Sequence, residues 1–246
     1  MTKDLNVRRL FDDVAFSYDF QNSFLSLRRD VAWRRIFAEA IETRDRALIL
    51  DAATGTAEVA IEISRRRPRS RIIGLDFSPR MLEIGRKKVR AMQLQDRIRL
   101  FTGDNRCLPF LDASFDAVTI AFGIRNIPQR QQALAEFSRV LKPGGQLLVM
   151  EFDYPENPLL GLLYRLYFDH ILPPIGNRIA KSPNAYTYFV ESVKAFPDSA
   201  TFLREIASAG LDRLQVRKLT CGIAKIYSGF KKDKQRVHSI LEKGPK

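Results

Sequence analysis

Four acidic residues stand where apolar runs give out: Asp51 after "ALIL", Asp76 after "RIIGL", Asp104 after "IRLFTG" and Glu151 after "QLLVM". A carboxylate is expensive inside such a run but not at its end, where a ligand or a partner cation can reach it. Asp51 opens "DAATGTAEVA", in which Gly55 precedes a helical pattern and lets a ligand approach the backbone closely. The loop lacks the GxGxxG spacing and no GK[ST] follows, so neither a pyrophosphate-binding turn nor a Walker-type loop is encoded. Asp76 follows at about the twenty-residue separation from which a carboxylate can accept both ribose hydroxyls. Asp104, in "TGDNRCLPF", can accept from an adenine amino group. Together the three point to an adenosyl ligand without phosphates. A fifth feature, Arg125–Asn126 in "VTIAFGIRNIP", puts a permanent cation just beyond another apolar run.

These residues need a scaffold that delivers run ends to one edge. From Ala47 the chain alternates "ALILDAA", "SRIIGLD", "IRLFTGD", "FDAVTIAF" and "GGQLLVMEF" with helical patterns near Glu58 to Arg67, Pro79 to Met92 and Arg130 to Val140. Such alternation predicts a doubly wound, mostly parallel α/β sheet, because parallel strands need helical crossovers; ligands then sit beyond the carboxyl ends of the strands. A helical N-terminal cap rich in aromatics covers residues 1–46 and the cofactor-binding core covers 47–153. Residues 154–195 read as an acceptor lid, built on an apolar helix from Leu159 to Ile175. Residues 196–230 hold a helix around Asp198 to Ala209 and an antiparallel hairpin, "LDRLQVRKLT" and "IAKIYSGFKK", that closes the sheet; 231–246 form a basic tail.

A chain of 246 residues suits one large domain, and 41 Lys and Arg against 28 Asp and Glu leave +13, a bias toward anionic partners. The apolar run Pro158 to Ile175 is broken by Arg165, Asp169 and His170 and is too short to span a bilayer; the N-terminus has no signal-peptide core. A cytoplasmic protein is expected. Cys107 and Cys221 stand apart, without metal-ligand spacing, and are expected to be reduced thiols.

The series "LDAATGTAE", "GLDFSPRML", "GDNRCLPF", "SFDAVTIAFGIRN" and "VLKPGGQLLVMEF" resembles the class I S-adenosylmethionine-dependent methyltransferases, with their Rossmann-like fold. More narrowly, "FDDVAFSYDFQNSFLSLRRDVAW", "FGIRN" and "RVLKPGGQLLVMEF" with the downstream "HILPPIG" and "YTYFVESVKAFP" resemble the family that C-methylates polyprenyl quinols in menaquinone and ubiquinone biosynthesis. The likeness covers roughly residues 8 to 230. The chain departs from the family pattern at Gln21, where Met is usual, Asp30, where His is usual, and Asp153, where Ser is usual; Ala57 replaces a second Gly of the loop.

The resemblance implies S-adenosylmethionine as cofactor, S-adenosylhomocysteine as product, and no metal. It implies a cofactor site of Tyr18, Asp51, Ala53, Thr54, Gly55 and Thr56, then Asp76, Phe77 and Met81, then Gly103, Asp104 and Asn105, and finally Phe122 and Gly123. Arg125 would stabilise a developing phenolate or hold a water that relays its proton, and Asn126 would bond the second ring oxygen. An ion pair with Glu151 is the competing role for Arg125. Proton acceptors are Asp153, Asp30 and His170, in no order, and Tyr18 and Tyr186 are candidates to close over the site. The expected partners are a lipid-soluble quinol, an anionic face of the cytoplasmic membrane met peripherally, and a second copy of the chain as a homodimer; no nucleic acid is expected, since no target-base motif follows the fourth run. The alternatives are another isoprenoid or phenolic acceptor, and a basic RNA-binding protein on the same fold.

Overall fold

The computed structural model describes residues 26, 28–155, 157–166, 170, 174 and 185–233. Seven strands form one sheet in the order β3-β2-β1-β4-β5-β7-β6. They are β1 Leu48–Ala52, β2 Arg71–Asp76, β3 Ile98–Thr102, β4 Phe115–Ala121, β5 Leu141–Phe152, β6 Leu211–Leu219 and β7 Ala224–Lys231. The β1–β2, β2–β3, β1–β4 and β4–β5 pairs are parallel, while β5–β7 and β6–β7 are antiparallel, the expected hairpin closure. The order reverses between β1 and β4, which opens a crevice at their carboxyl ends.

Helices α1 Arg29–Glu39, α2 Glu58–Arg66, α3 Pro79–Ala91 and α4 Arg130–Val140 accompany the parallel half. The amphipathic α2 buries Val59, Ala60, Ile61 and Ile63. A cap and a proline start α3: Ser78 accepts from the Met81 N–H, and Pro79 needs no donor there. After β5 come α5 Pro158–Leu166, α6 Ala185–Lys194 and α7 Ser199–Ser208, the last capped by Asp198. Apolar residues alternate between two cores, so Ile49 packs with Trp33, Phe37 and Ile63 on one face and Leu50 with Phe115, Phe137 and Phe202 on the other.

Two boundaries differ from expectation. Strand β5 begins at Leu141, before the apolar run, because Lys142 to Gly145 bulge out between the Phe115–Leu141 and Ala117–Gln146 pairs, with Gly144 at φ +73°. Strand β3 stops at Thr102, short of Asp104, which lies in a turn bridged to Cys107. The expected helix to Ile175 is described only to Leu166; most of the rest of that segment, with residues 1–25 and the tail beyond Asp233, lies outside the described residues.

Candidate active site

The β1–α2 turn is a run of left-handed residues: Ala53 at φ +49°, Gly55 at +53° and Ala57 at +66°. Two carboxylates hold it. Thr54 donates its hydroxyl to Asp51 at 2.6 Å and its N–H to the Leu75 carbonyl at 3.1 Å, and the Gly55 N–H donates to Asp76 at 2.8 Å. The other Asp76 oxygen accepts from the Ser78 N–H at 2.8 Å. Nothing lies within 4 Å of where a Gly55 side chain would start, so the backbone faces open space as the sequence predicts. At the end of β4 Gly123 passes so close to Ala53 that an added Cβ would stand 2.6 Å from the Ala53 Cβ. The strand ends therefore converge.

Between them lies a cavity of about 110 Å³, open to solvent, lined by Ala53, Gly55, Asp76, Phe77, Met81, Asp104, Asn105, Phe122, Gly123 and Asn126, together with Arg106, Ala121, Ile127 and Pro128. The Asn105 Oδ1 is buried there with no hydrogen-bond partner among the described residues, an acceptor suited to an adenine-type amino group. Asp104 is half-exposed and clamped by Arg106, whose guanidinium donates to both its oxygens and holds its carboxyl below the ordinary range. A smaller pocket adjoins this cavity through Ala53, Gly55, Ala121 and Phe122 and is lined further by Arg34, Asp51, Thr54, Thr56 and Glu58. Burial pushes the Asp51 carboxyl up to about 7, Asp76 adding to the effect and the hydroxyls of Thr54 and Thr119 opposing it. The orphaned Asn105 oxygen, the open Gly55 backbone and the paired pockets fit an adenosyl group carrying a short polar tail. Gly103 lines neither pocket; its lack of a side chain lets Leu75 pack closely.

Beyond β4, Ile124–Asn126 form one 3₁₀ turn. Arg125 is 5% exposed and its guanidinium is engaged by the protein's own groups: Glu151, 0% exposed, at 2.7 Å, the Phe122 carbonyl at 2.5 Å and Ser192 Oγ at 3.2 Å. The rings of Phe152 and Phe189 flank it. Burial drives the Glu151 carboxyl up, and Arg125 pulls it back. The ion pair is thus what the fold presents, with Asn126 rather than Arg125 lining the cavity. Tyr188 donates its hydroxyl to Asn126 Oδ1 at 3.2 Å, and burial raises its phenol. The tyrosine expected from the sequence, Tyr186, has a side chain outside the described structure, and Tyr188 is a further tyrosine that the fold brings to Asn126.

The three proton-acceptor candidates stand elsewhere. Asp153 pairs with Lys225 at 2.8 Å and accepts from the Tyr154 N–H at 2.7 Å. Asp30 is buried, paired with Arg34 and accepting from Ser26 Oγ at 2.8 Å. His170 is exposed. None of the three lines either pocket. Tyr18 lies outside the described residues. Arg65, Arg66 and Arg69 pair with Glu62, Glu39 and Asp45 on a solvated face, as their place at a helix end suggests.

A phosphate-free adenosyl site at the switch point of a 3-2-1-4-5-7-6 sheet defines the class: this is an S-adenosylmethionine-dependent methyltransferase of the class I fold. The solved structure of a SAM-dependent methyltransferase from Thermotoga maritima superposes with a TM-score of 0.62 over 92% of this chain and all of its own, at 19% identity. The chain belongs to the ubiE/COQ5 methyltransferase family, whose model matches residues 1–231. It is 45% identical over 226 residues to the demethylmenaquinone methyltransferase of Deinococcus radiodurans, covering 92% of each chain. It is 43% identical to the ubiquinone/menaquinone biosynthesis C-methyltransferase of Geotalea daltonii, covering 93% of this chain and 97% of that one.

Proposed function

We propose that the enzyme methylates a ring carbon of a polyprenyl quinol, the demethylmenaquinol-to-menaquinol step or its benzoquinol counterpart in ubiquinone formation. The observation that carries this is Asn126, set on the cavity wall at the end of β4 and oriented from behind by Tyr188. S-adenosylmethionine supplies an electrophilic methyl on sulfonium. The protein's part is to bring an electron-rich carbon into line with it and keep bulk water away. Tyr188 donates to the Asn126 carbonyl and one amide N–H of Asn126 lies 3.5 Å from the Phe122 carbonyl, so the second amide N–H is the donor left to meet an acceptor ring oxygen. A phenol is protonated at neutral pH in any case, and burial raises that of Tyr188 further, which preserves the orientation. Arg125 works as a positioning residue: it ties the Phe122 carbonyl, and so the turn bearing Asn126, to Glu151.

A greasy acceptor also needs a way out of the bilayer. No helix among the described residues is long and apolar enough to cross a membrane. Helix α5 nevertheless leaves Leu159, Leu162 and Leu166 exposed by 68, 57 and 49%, at a spacing that shares one face. That face, with the +13 charge, supports peripheral docking at an anionic lipid surface on the cytoplasmic side.

Methyl-labelled S-adenosylmethionine, incubated with the full chain and a chemically reduced membrane lipid extract, should transfer label to a quinone fraction. Label in RNA or a non-quinone phenol, with none in quinone, overturns the reading. Sedimentation with phosphatidylglycerol vesicles should show binding that weakens as salt rises; equal, salt-insensitive binding to phosphatidylcholine vesicles would remove the electrostatic part.

A further inference from the structure

The smaller pocket has a charge pattern that the ring chemistry does not use. Arg34 on α1 lines it together with Asp51, Thr54 and Thr56, which lead into the start of α2. The Arg34 hydrogen bond to Asp30 is made by Nη2; Nη1 and Nε carry none among the described residues. Asp30, buried and itself held by Ser26, fixes the rotation of the guanidinium and leaves the remaining donors for a second anion. The Glu58 charge, the other acid in the lining, is met by Lys88 at 2.5 Å. The pocket thus brings a cation from α1 together with a buried carboxylate and the N-terminus of α2. A zwitterion fits this pattern: an α-carboxylate toward Arg34 and an α-ammonium toward Asp51.

We propose that Arg34, oriented by Asp30, reads the α-carboxylate of the amino-acid tail of the cofactor. Arg34 is the binding residue and Asp30 the positioning residue, a role distinct from the proton acceptor that sequence reasoning considered for Asp30. The spacing of the two, four residues apart on α1, is the helical pair geometry that lets one aim the other.

The proposal rests on the adenosyl assignment, so the test uses two ligands that separate them. S-adenosylhomocysteine carries the amino-acid tail, and 5′-methylthioadenosine has the same nucleoside thioether without it. Calorimetry on the full chain should show Arg34→Gln weakening S-adenosylhomocysteine about 10- to 100-fold, the range of one charge-assisted hydrogen bond, while methylthioadenosine changes less than twofold. Unchanged methylthioadenosine binding also certifies that the variant folds. Arg34→Lys should recover part of the loss, and Asp30→Asn should give a smaller loss with the same ligand selectivity. An unchanged S-adenosylhomocysteine affinity, or an equal fall for both ligands, overturns the proposal; wild-type protein that binds neither ligand overturns the adenosyl assignment itself.

Discussion

The two halves of the crevice handle charge in opposite ways. On the β1–β2 side, Asp51 and Asp76 are held by backbone N–H groups and threonine hydroxyls, and these donors leave the carboxylates facing a cavity. On the β4–β5 side the charges turn to one another: Arg125 with Glu151, Lys225 with Asp153. Neutral donors can hold an anion without neutralising it, and so keep it available for a ligand cation or hydroxyl. Opposite charges in low dielectric satisfy each other and become struts. The first half is therefore suited to binding through charge, and the second holds Asn126 beside Phe122, whose ring packs on Phe152 and, through it, on Phe189. A quinol ring with a greasy tail suits the second environment.

The sharpest way to break this contrast is to remove one strut. Glu151→Gln leaves the Arg125 charge buried, and urea unfolding should show a loss of about 3–5 kcal/mol, with the Glu151→Met, Arg125→Met pair losing less than either single change. A Glu151→Gln loss under about 1 kcal/mol would mean that the pair is not structural. The cofactor side should respond in binding instead. Asp76→Ala removes the acceptor for Gly55 and Ser78 together with the ribose site, and affinity for S-adenosylhomocysteine should drop about 100-fold by calorimetry, with unfolding affected much less.

The smallest effect is a pH slope. Asp51 titrates near 7 in the folded chain against an ordinary 3.8, so the folded state holds the proton more tightly. As pH rises from about 4 to about 7 the unfolded chain loses that proton first, stability falls, and above about 7 the penalty is complete. Asp51→Asn removes the slope; thermal melts should rank the variant more favourably against wild type at about pH 8 than at about pH 5. The same melts at matched stability for both pH values would place Asp51 in a wetter, less costly setting.

Much of this was legible from local pattern. The β-runs, the helix starting at Pro79 and the one around Asp198, and the carboxylates at Asp51 and Asp76 follow from periodicity and turn residues, which act over a few residues. The antiparallel closure by the last two runs was also readable. Asp104 was less so, because the bidentate hold of Arg106 depends on a turn and not on strand spacing.

What sequence by itself determined, then, is the order of strands, turns and carboxylates, because each is set by neighbours along the chain. Only the tertiary structure decided what each charge meets. Arg125 finds Glu151 because β4 lies beside β5; Arg34 and Asp51 come to one pocket because α1 packs against α2, which follows the β1 turn; and Tyr188 reaches Asn126 across sixty-two residues of chain. Those encounters depend on strand adjacency and helix docking, which no local spacing encodes, and they separate the charges that serve a ligand from those that hold the wall behind it.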